Sequence, residues 1–436
     1  MKSGLHFLVA AKRCEIGELE QLALTGTLVK VVGRLIHELQ RERGMSNVYL
    51  ASQGTRFAEQ RDQQSAACRR VEAQARSTFE QLDVSDNGNA PGNGARLFNR
   101  IAYVLHGLDG LPALRQRIGA HSTTPAETTA AFSKLISGLL SVVFEAADSA
   151  TDPEISRHLV AMFHFMQGKE FAGQERAIGS MMFASGHTDP LSQQQWLHLI
   201  ESQERCFRIF TEFSPPAVHE VWRNCMPTGL LFALENLRQT GHAQSPALDP
   251  NLSQEWYQTT TRRIDAMKTV EEKLAANLTR ACRDKIRESR AELEQHQKLL
   301  DSLDHDDSRA GQHATTSFFD THEIHTPAPP AGSPPVLYGP HLEHSILDMV
   351  QEQSLRLQAM GDELQTVRAA LNERKLVERA KGLLMTHRRI SEDEAYKLLR
   401  QTAMNQNRRL GEVAQAILSM AELLPANTAA KRSGQR

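Results

Sequence analysis

The chain has 436 residues, 40% hydrophobic and 23% charged, the composition of a globular protein of about three domains. Its 50 basic and 52 acidic residues leave a formal net charge of −2, which excludes a whole-chain polyanion-binding surface and confines any such partner to a local patch. The cysteines, at 14, 68, 206, 225 and 282, are odd in number and contain no C-x-x-C, which argues against a disulfide frame and a zinc site and fits a reducing cytoplasm.

Only 6% of residues are aromatic, and Leu, Ala, Gln, Glu and Arg dominate without an alternating strand pattern, so an all-α fold is expected. The apolar opening Leu5–Ala11 is too short to span a bilayer and lacks a cleavage pattern, and no other stretch reads as long and apolar enough. The expectation is a cytoplasmic protein with no membrane contact. From Glu15 to Leu50 a helical stripe runs through Leu28, Val32, Leu35, Ile36 and Leu39. Four residues further on, the stripe meets Arg43. A guanidinium on a core-facing stripe needs a partner, because an unpaired buried charge is expensive. A carboxylate such as Glu42, Glu170 or Glu175 would serve, and so would an exogenous anion.

A polar helix over Gln53–Leu82 is followed by a loop at 86–94, then by helices over Ala95–Gly119 and Thr128–Ala147. Asp152-Pro153 opens the next helix, with Pro where its missing N–H is harmless. That helix, Glu154–Ser185, is apolar nearly all round and so belongs deep in a bundle, with its Met and Phe read as core filling. It nonetheless carries Lys169, Glu170, Glu175 and Arg176, and Arg176 shares a face with Phe165, Ala172 and Phe183. Helices over Leu191–Phe210 and Val218–Arg238, the latter interrupted by Pro227, come next. Arg238 falls on the stripe of Leu231 and Leu234, a third arginine among apolar neighbours. Ser253–Leu303 reads as one long helix whose charge is mostly a solvated face.

The segments Gln40-Arg41-Glu42-Arg43-Gly44-Met45-Ser46 and Lys169-Glu170-x₄-Glu175-Arg176-Ala177 resemble the NIT domain, the all-helical nitrate- and nitrite-sensing module of bacterial regulators. The resemblance spans most of residues 30 to 290. It implies two stacked helical bundles with an anion held between helices by arginines. Arg43 and Arg176 match motif positions, whereas Arg238 is placed by stripe and position, with Arg223 its competitor. The chemistry agrees independently: nitrate is planar and weakly hydrated, and a guanidinium offers two parallel donors in one plane.

Residues 304–341 turn rich in Pro, Gly, Ser, Thr and His and read as a flexible linker, stiffer at its Pro-rich end. The histidines have no ordered metal spacing, and no metal is expected. Over 342–371, Val350, Leu357, Leu364 and Leu371 recur every seven residues, as do Ile346, Gln353, Met360 and Val367 at the other seam position. This is a short coiled coil, either a homodimer seam or a seam that packs on the chain's own sensor, and it is the expected switch.

Residues 372–424 read as three short helices, the second opened by a Ser391–Glu394 capping box, with 425–436 a disordered tail. Gly382, Ala380, Ala395 and Ala403 would let the helices approach closely. Between Asn372 and Leu418 ten basic and six acidic residues give a local +4. Such a surface can neutralise phosphates and read base edges. The run Ala380-Lys381-Gly382-Leu383-Leu384-Met385, with Ser391, Glu394-Ala395, Leu399-Arg400, Ala403-Met404, Asn407-Arg408-Arg409-Leu410 and Val413-Ala414, resembles the ANTAR domain of bacterial antitermination regulators. It implies binding to paired hairpin loops of a leader mRNA, with transcribing RNA polymerase affected indirectly, and Lys381, Arg388, Arg400 and Arg408 are the expected RNA contacts.

The sequence therefore points to a nitrate- or nitrite-responsive antiterminator of nitrate or nitrite assimilation genes, with the oxyanion as effector and no cofactor. The alternative is a helix-turn-helix DNA-binding factor that senses another small oxyanion. No phosphate-cradling loop, metal spacing or nucleophile motif suggests an enzyme.

Overall fold

A computed structural model describes residues 2–82, 94–242, 248–306, 339–390, 392–406 and 408–423. Among them the chain forms thirteen α-helices and no strand. These are α1 (Lys2–Ala51), α2 (Ala58–Glu80), α3 (Gly94–Gly119), α4 (Pro125–Ser149), α5 (Pro153–Ser185), α6 (Pro190–Phe213), α7 (Pro216–Cys225), α8 (Thr228–His242), α9 (Leu252–Asp306), α10 (Gly339–Ala369), α11 (Asn372–Arg388), α12 (Glu392–Asn405) and α13 (Leu410–Leu423). The all-α expectation holds.

Differences lie at element ends. α1 begins some four turns before the expected start at Glu15, because Leu8 and Val9 extend its buried stripe. α4 begins at Pro125 rather than 128, under a capping box in which Thr124 Oγ1 accepts from the Glu127 amide and Glu127 accepts from the Thr124 amide. Pro227 does more than interrupt: α7 ends at Cys225 and α8 starts at Thr228. The proposed cap Ser391, Asn407, the residues 307–338 of the linker and the tail beyond 423 lie outside the described residues, as do the side chains of Leu342, Ile346 and Val350.

The chain divides into two compact units. Unit 1 comprises residues 1–163, 214–221 and 268–365. In it α1 packs on α2 and α4, and α3 on α4. Leu28, Val32, Leu35 and Leu39 of α1 are fully buried, as are Phe132, Ile136, Leu139 and Val143 of α4. Among the described residues one helix, α4, proves long and apolar enough to cross a membrane, contrary to the reading of the sequence. Its unbroken run of buried side chains from Gly138 to Asp148 accounts for that composition as the central helix of a bundle.

Unit 2 comprises residues 164–213, 222–267 and 366–436. Phe183, Trp196 and Trp256 form an aromatic knot with Leu234 and Leu237. Two glycines make it possible: a methyl group on Gly179 would collide with the Trp256 ring, and one on Gly241 with Trp196. The three C-terminal helices α11–α13 bury Val377, Ala380, Leu384, Ala395, Leu399, Ala403, Val413 and Ala414. Ala380, Ala395 and Ala403 are thus at the close approaches, as expected, but Gly382 faces open space. The glycine at a tight contact is Gly411, against the side chain of Glu373.

Within unit 2, α11–α13 also meet α5 and α6. Gln194 of α6 donates to the carbonyl of Met404 at 3.2 Å, and Arg374 of α11 donates to Gln167 of α5 at 3.0 Å. His164 of α5 is bonded to the Ala370 backbone; its burial pushes its pKa down to about 4, with Arg374 adding in the same direction.

Candidate functional site

Arg43 is the first of the inward arginines. Its place on the α1 stripe carries it into the unit 1 core, where it is 1% exposed. One of its guanidinium nitrogens donates to Ser133 Oγ of α4 at 2.7 Å, and one turn on Asn47 donates to Thr129 Oγ1 at 2.6 Å. The two bonds make a polar seam through an otherwise apolar interface. Glu42, a carboxylate that could have served Arg43, faces the other way: Arg115 of α3 forks onto it at 2.8 and 2.9 Å and reaches Glu72 at 3.5 Å.

In unit 2, Arg176 of α5 donates to Thr261 Oγ1 of α9 at 3.1 Å, and its guanidinium lies 5.3 Å from the centre of the Tyr257 ring. The Trp256 indole donates to the Arg176 carbonyl at 3.0 Å, so the aromatic knot fixes the backbone from which this side chain projects. Lys169 and Glu170, the other half of the motif, are buried one to two turns earlier on the same helix. Each motif arginine thus donates to a hydroxyl on a neighbouring helix, a neutral group that helps to orient its guanidinium.

Arg238 has a different environment. It forks onto Glu175 at 2.7 and 2.8 Å. The same carboxylate accepts from Gln203 at 2.7 Å, from the Trp196 indole at 3.2 Å and from Arg263 at 3.4 Å. Burial alone would raise the Glu175 pKa; the two guanidiniums and Gln203 outweigh it and hold the carboxyl below its usual range. Arg263 sits fully inside, its pKa pulled down to about 10 by burial. Glu175 is therefore the resident anion of this cluster, with a donor set of the kind a small oxyanion would want.

Arg263 and Arg115 were not singled out from sequence. Both carried the signal that marked Arg43, a cation on an apolar stripe: Arg263 follows Trp256 by seven residues, and Arg115 follows Leu111 by four. In a long helix read as mostly solvated charge, the signal was lost among exposed neighbours.

The basic residues of α11–α13 divide by exposure. Arg388, in the last turn of α11, and Arg408, before α13, are exposed, as are Arg389, Lys397 and Arg409. Arg408 has only a loose 3.9 Å pair with Glu412. Arg400 is half-buried. Lys381 is tucked in: its ammonium pairs with Glu378 at 2.8 Å and lies 5.9 Å from the Tyr396 ring centre. Arg388 and Arg389 at the α11–α12 junction, and Arg408 and Arg409 at the α12–α13 junction, are long, exposed cations of a kind suited to phosphates.

Comparison with known proteins follows the same division. Residues 34–279 match the family described as nitrate and nitrite sensing, and residues 365–418 match the ANTAR domain. The chain is 32% identical over 423 residues to the nitrate regulatory protein of Klebsiella oxytoca, covering 96% of each. It is also similar to the solved structure of the NasR transcription antiterminator, at 29% identity and a TM-score of 0.57, over 96% of this chain and 99% of that one.

Proposed function

The chain belongs to the nitrate- and nitrite-sensing family, and from that premise we propose that it is a nitrate- or nitrite-responsive antitermination regulator, in which the oxyanion controls access of the ANTAR helices to a leader-mRNA hairpin. The observation that carries this reading is the presence of both parts in one chain: buried arginines in the sensing region, and an ANTAR unit with exposed cations that is tied to α5 and α6 through Gln194–Met404 and Arg374–Gln167. Residues 1–303 act as the sensor, 304–341 as linker, 342–371 as coupling helix and 372–424 as the RNA-binding part.

Arg43 and Arg176 are the proposed responders to the anion. Arg238 is proposed to contribute only in so far as Glu175 releases it. Arg388, Arg408 and the half-buried Arg400 are the proposed RNA contacts. Lys381, given its pair with Glu378 and its place by Tyr396, is the least accessible of the four. Polymerase is affected indirectly, through the RNA it has just made. The protein works in the cytoplasm and performs no catalysis. The test is binding of a two-hairpin leader RNA by the full chain, with and without nitrate. Nitrate is expected to tighten RNA binding; equal affinity in both conditions removes the gating.

The ANTAR match and the likeness to an antiterminator favour RNA over the helix-turn-helix DNA alternative. Competition between hairpin RNA and duplex DNA decides between them, with RNA expected to win.

A homodimer through α10 is also proposed. Val367 and Leu371 are buried within the chain, but the seam residue Leu357 is 67% exposed, a poor arrangement for a helix facing only water. Leu357→Asp is expected to turn a dimer into a monomer in light scattering; an unchanged mass would remove the seam.

A further inference from the structure

The part of α10 that belongs to unit 1 is held there in an unusual way. From Gln351 to Gln365, fifteen residues, no side chain is buried, and the apolar Met360 and Leu364 are only half-buried. Apolar packing therefore holds this stretch only in part. Beneath it, a small cavity of about 140 Å³, lined by Leu8, Glu292, His296, Glu352, Gln353 and Arg356, marks where α10 fails to close on α1 and α9. Charge joins the helices as well. Arg356 lies 3.6 Å from Glu15 of α1 and 3.5 Å from Glu292 of α9. Seven residues on, Glu363 is 3.7 Å from Arg157 of α5.

The two carboxylates that face Arg356 do not depend on it. Lys12, fully buried in α1, pairs with both Glu15 and Glu292, and Ser289 donates to Glu15 at 3.2 Å. If α10 left, both acids would keep a cationic partner, and no buried charge would be stranded. Arg356 itself is 44% exposed and would return to water with little reorganisation. This is the design of a contact meant to open: satisfied when closed, and satisfied on the fixed side when open.

We propose that Arg356, seated on the Glu15–Lys12–Glu292 triad, is a positioning residue that latches the coupling helix to the sensor electrostatically, with Arg157–Glu363 as a second clasp. Exposed ion pairs of this kind shift an equilibrium by a factor of about two to five each. Two or three together bias α10 toward the docked position by roughly tenfold. A ligand with a similarly modest preference for the undocked form is enough to overcome that bias. The regulatory meaning of the latch rests on the gating reading above; the latch itself does not.

The experiment is amide hydrogen exchange over residues 351–366 in the full chain. In the wild type, raising the salt concentration is expected to speed exchange of this stretch severalfold, because screening weakens exposed pairs. Arg356→Ala is expected to reach the high-salt rate already at low salt and to lose most of its salt dependence, and Arg356→Lys to restore part of both. The slowly exchanging amides around Leu28–Leu39 serve as the check on folding. A wild-type rate indifferent to salt overturns the latch, as does an Arg356→Ala variant with intact Leu28–Leu39 protection and unchanged exchange over 351–366. Added nitrate is expected to speed exchange of the same stretch in the wild type. If it does not, the gating reading fails, and the salt and Arg356 results still decide the latch.

Discussion

Three inward arginines that look alike in sequence have different neighbours, and those neighbours set what each substitution does. Arg43 and Arg176 donate to Ser133 and Thr261, whereas Arg238 is forked onto Glu175. If Arg43 and Arg176 hold the anion as proposed, removing either takes away a charge-assisted contact of about 1.5–3 kcal/mol, so Arg43→Ala and Arg176→Ala are expected to weaken the nitrate response ten- to a hundredfold with RNA binding retained. Removing Arg238 takes the nearer of two guanidiniums from a fully buried carboxylate and leaves it to Arg263, Gln203 and Trp196, and Arg238→Ala is expected to cost about 3 kcal/mol of stability. Calorimetric nitrate titration and chemical unfolding of the three variants separate the two outcomes; a stable Arg238→Ala chain that has lost nitrate would reverse the assignment. The stripe logic that located all three positions is a statement about which way a side chain faces, and that much is written in the spacing of Leu35, Leu39 and Arg43. Which acid pairs with which base is not, because Glu42 is adjacent to Arg43 in sequence yet projects from another face toward Arg115. Pairing depends on helices brought together from seventy residues away, and periodicity carries no record of it.

At the scale of elements, α5 shows why the helix pattern was legible and its consequences were not. Its apolar circumference announced a buried helix, and it is one. His164 gave no signal, since a single imidazole in such a run resembles core filling. It lies beside Ala370, at the junction of α10 and α11, and is kept neutral by burial, its pKa near 4 against an ordinary 6.5. The sign follows directly. A depressed folded pKa means that the unfolded or undocked form binds the proton more readily between these values. The contribution is intact above about pH 6.5 and lost as pH falls toward 4, about 3 kcal/mol in all. Mild acid is therefore expected to destabilise the packing of α11–α13 on α5, and His164→Phe to flatten that dependence. Unfolding monitored across this pH window in both chains checks it, and parallel curves would assign the acid sensitivity elsewhere. The same element scale explains the heptads of α10. Their period was plain, but a seven-residue repeat does not say what faces it, and the structure divides the answer between buried Val367 and Leu371 and exposed Leu357.

For the whole molecule, the gating reading has a consequence that does not depend on any single contact. If nitrate tightens RNA binding by some factor, RNA must tighten nitrate binding by the same factor, because both measure one coupling free energy. Couplings of this kind are typically 1–3 kcal/mol, about five- to 150-fold. The docked ANTAR helices are where this chain would store it, through Arg374–Gln167 and Gln194–Met404. Weakening that docking by Arg374→Ala should raise the affinity for hairpin RNA without nitrate and shrink the coupling factor by the same amount, since less docked chain remains for nitrate to release. Affinity in the presence of saturating nitrate should stay where it is in the wild type. The measurement is a square of four affinities: RNA with and without nitrate, and nitrate with and without RNA, in the wild type and in Arg374→Ala. Agreement of the two factors within each chain tests the linkage, and their joint fall in the variant tests where the coupling is held. A variant that binds RNA more weakly in every condition would instead make Arg374 an RNA contact, and the store of coupling would have to be sought in α10, whose hold on the sensor is ionic and so separable from this one by salt.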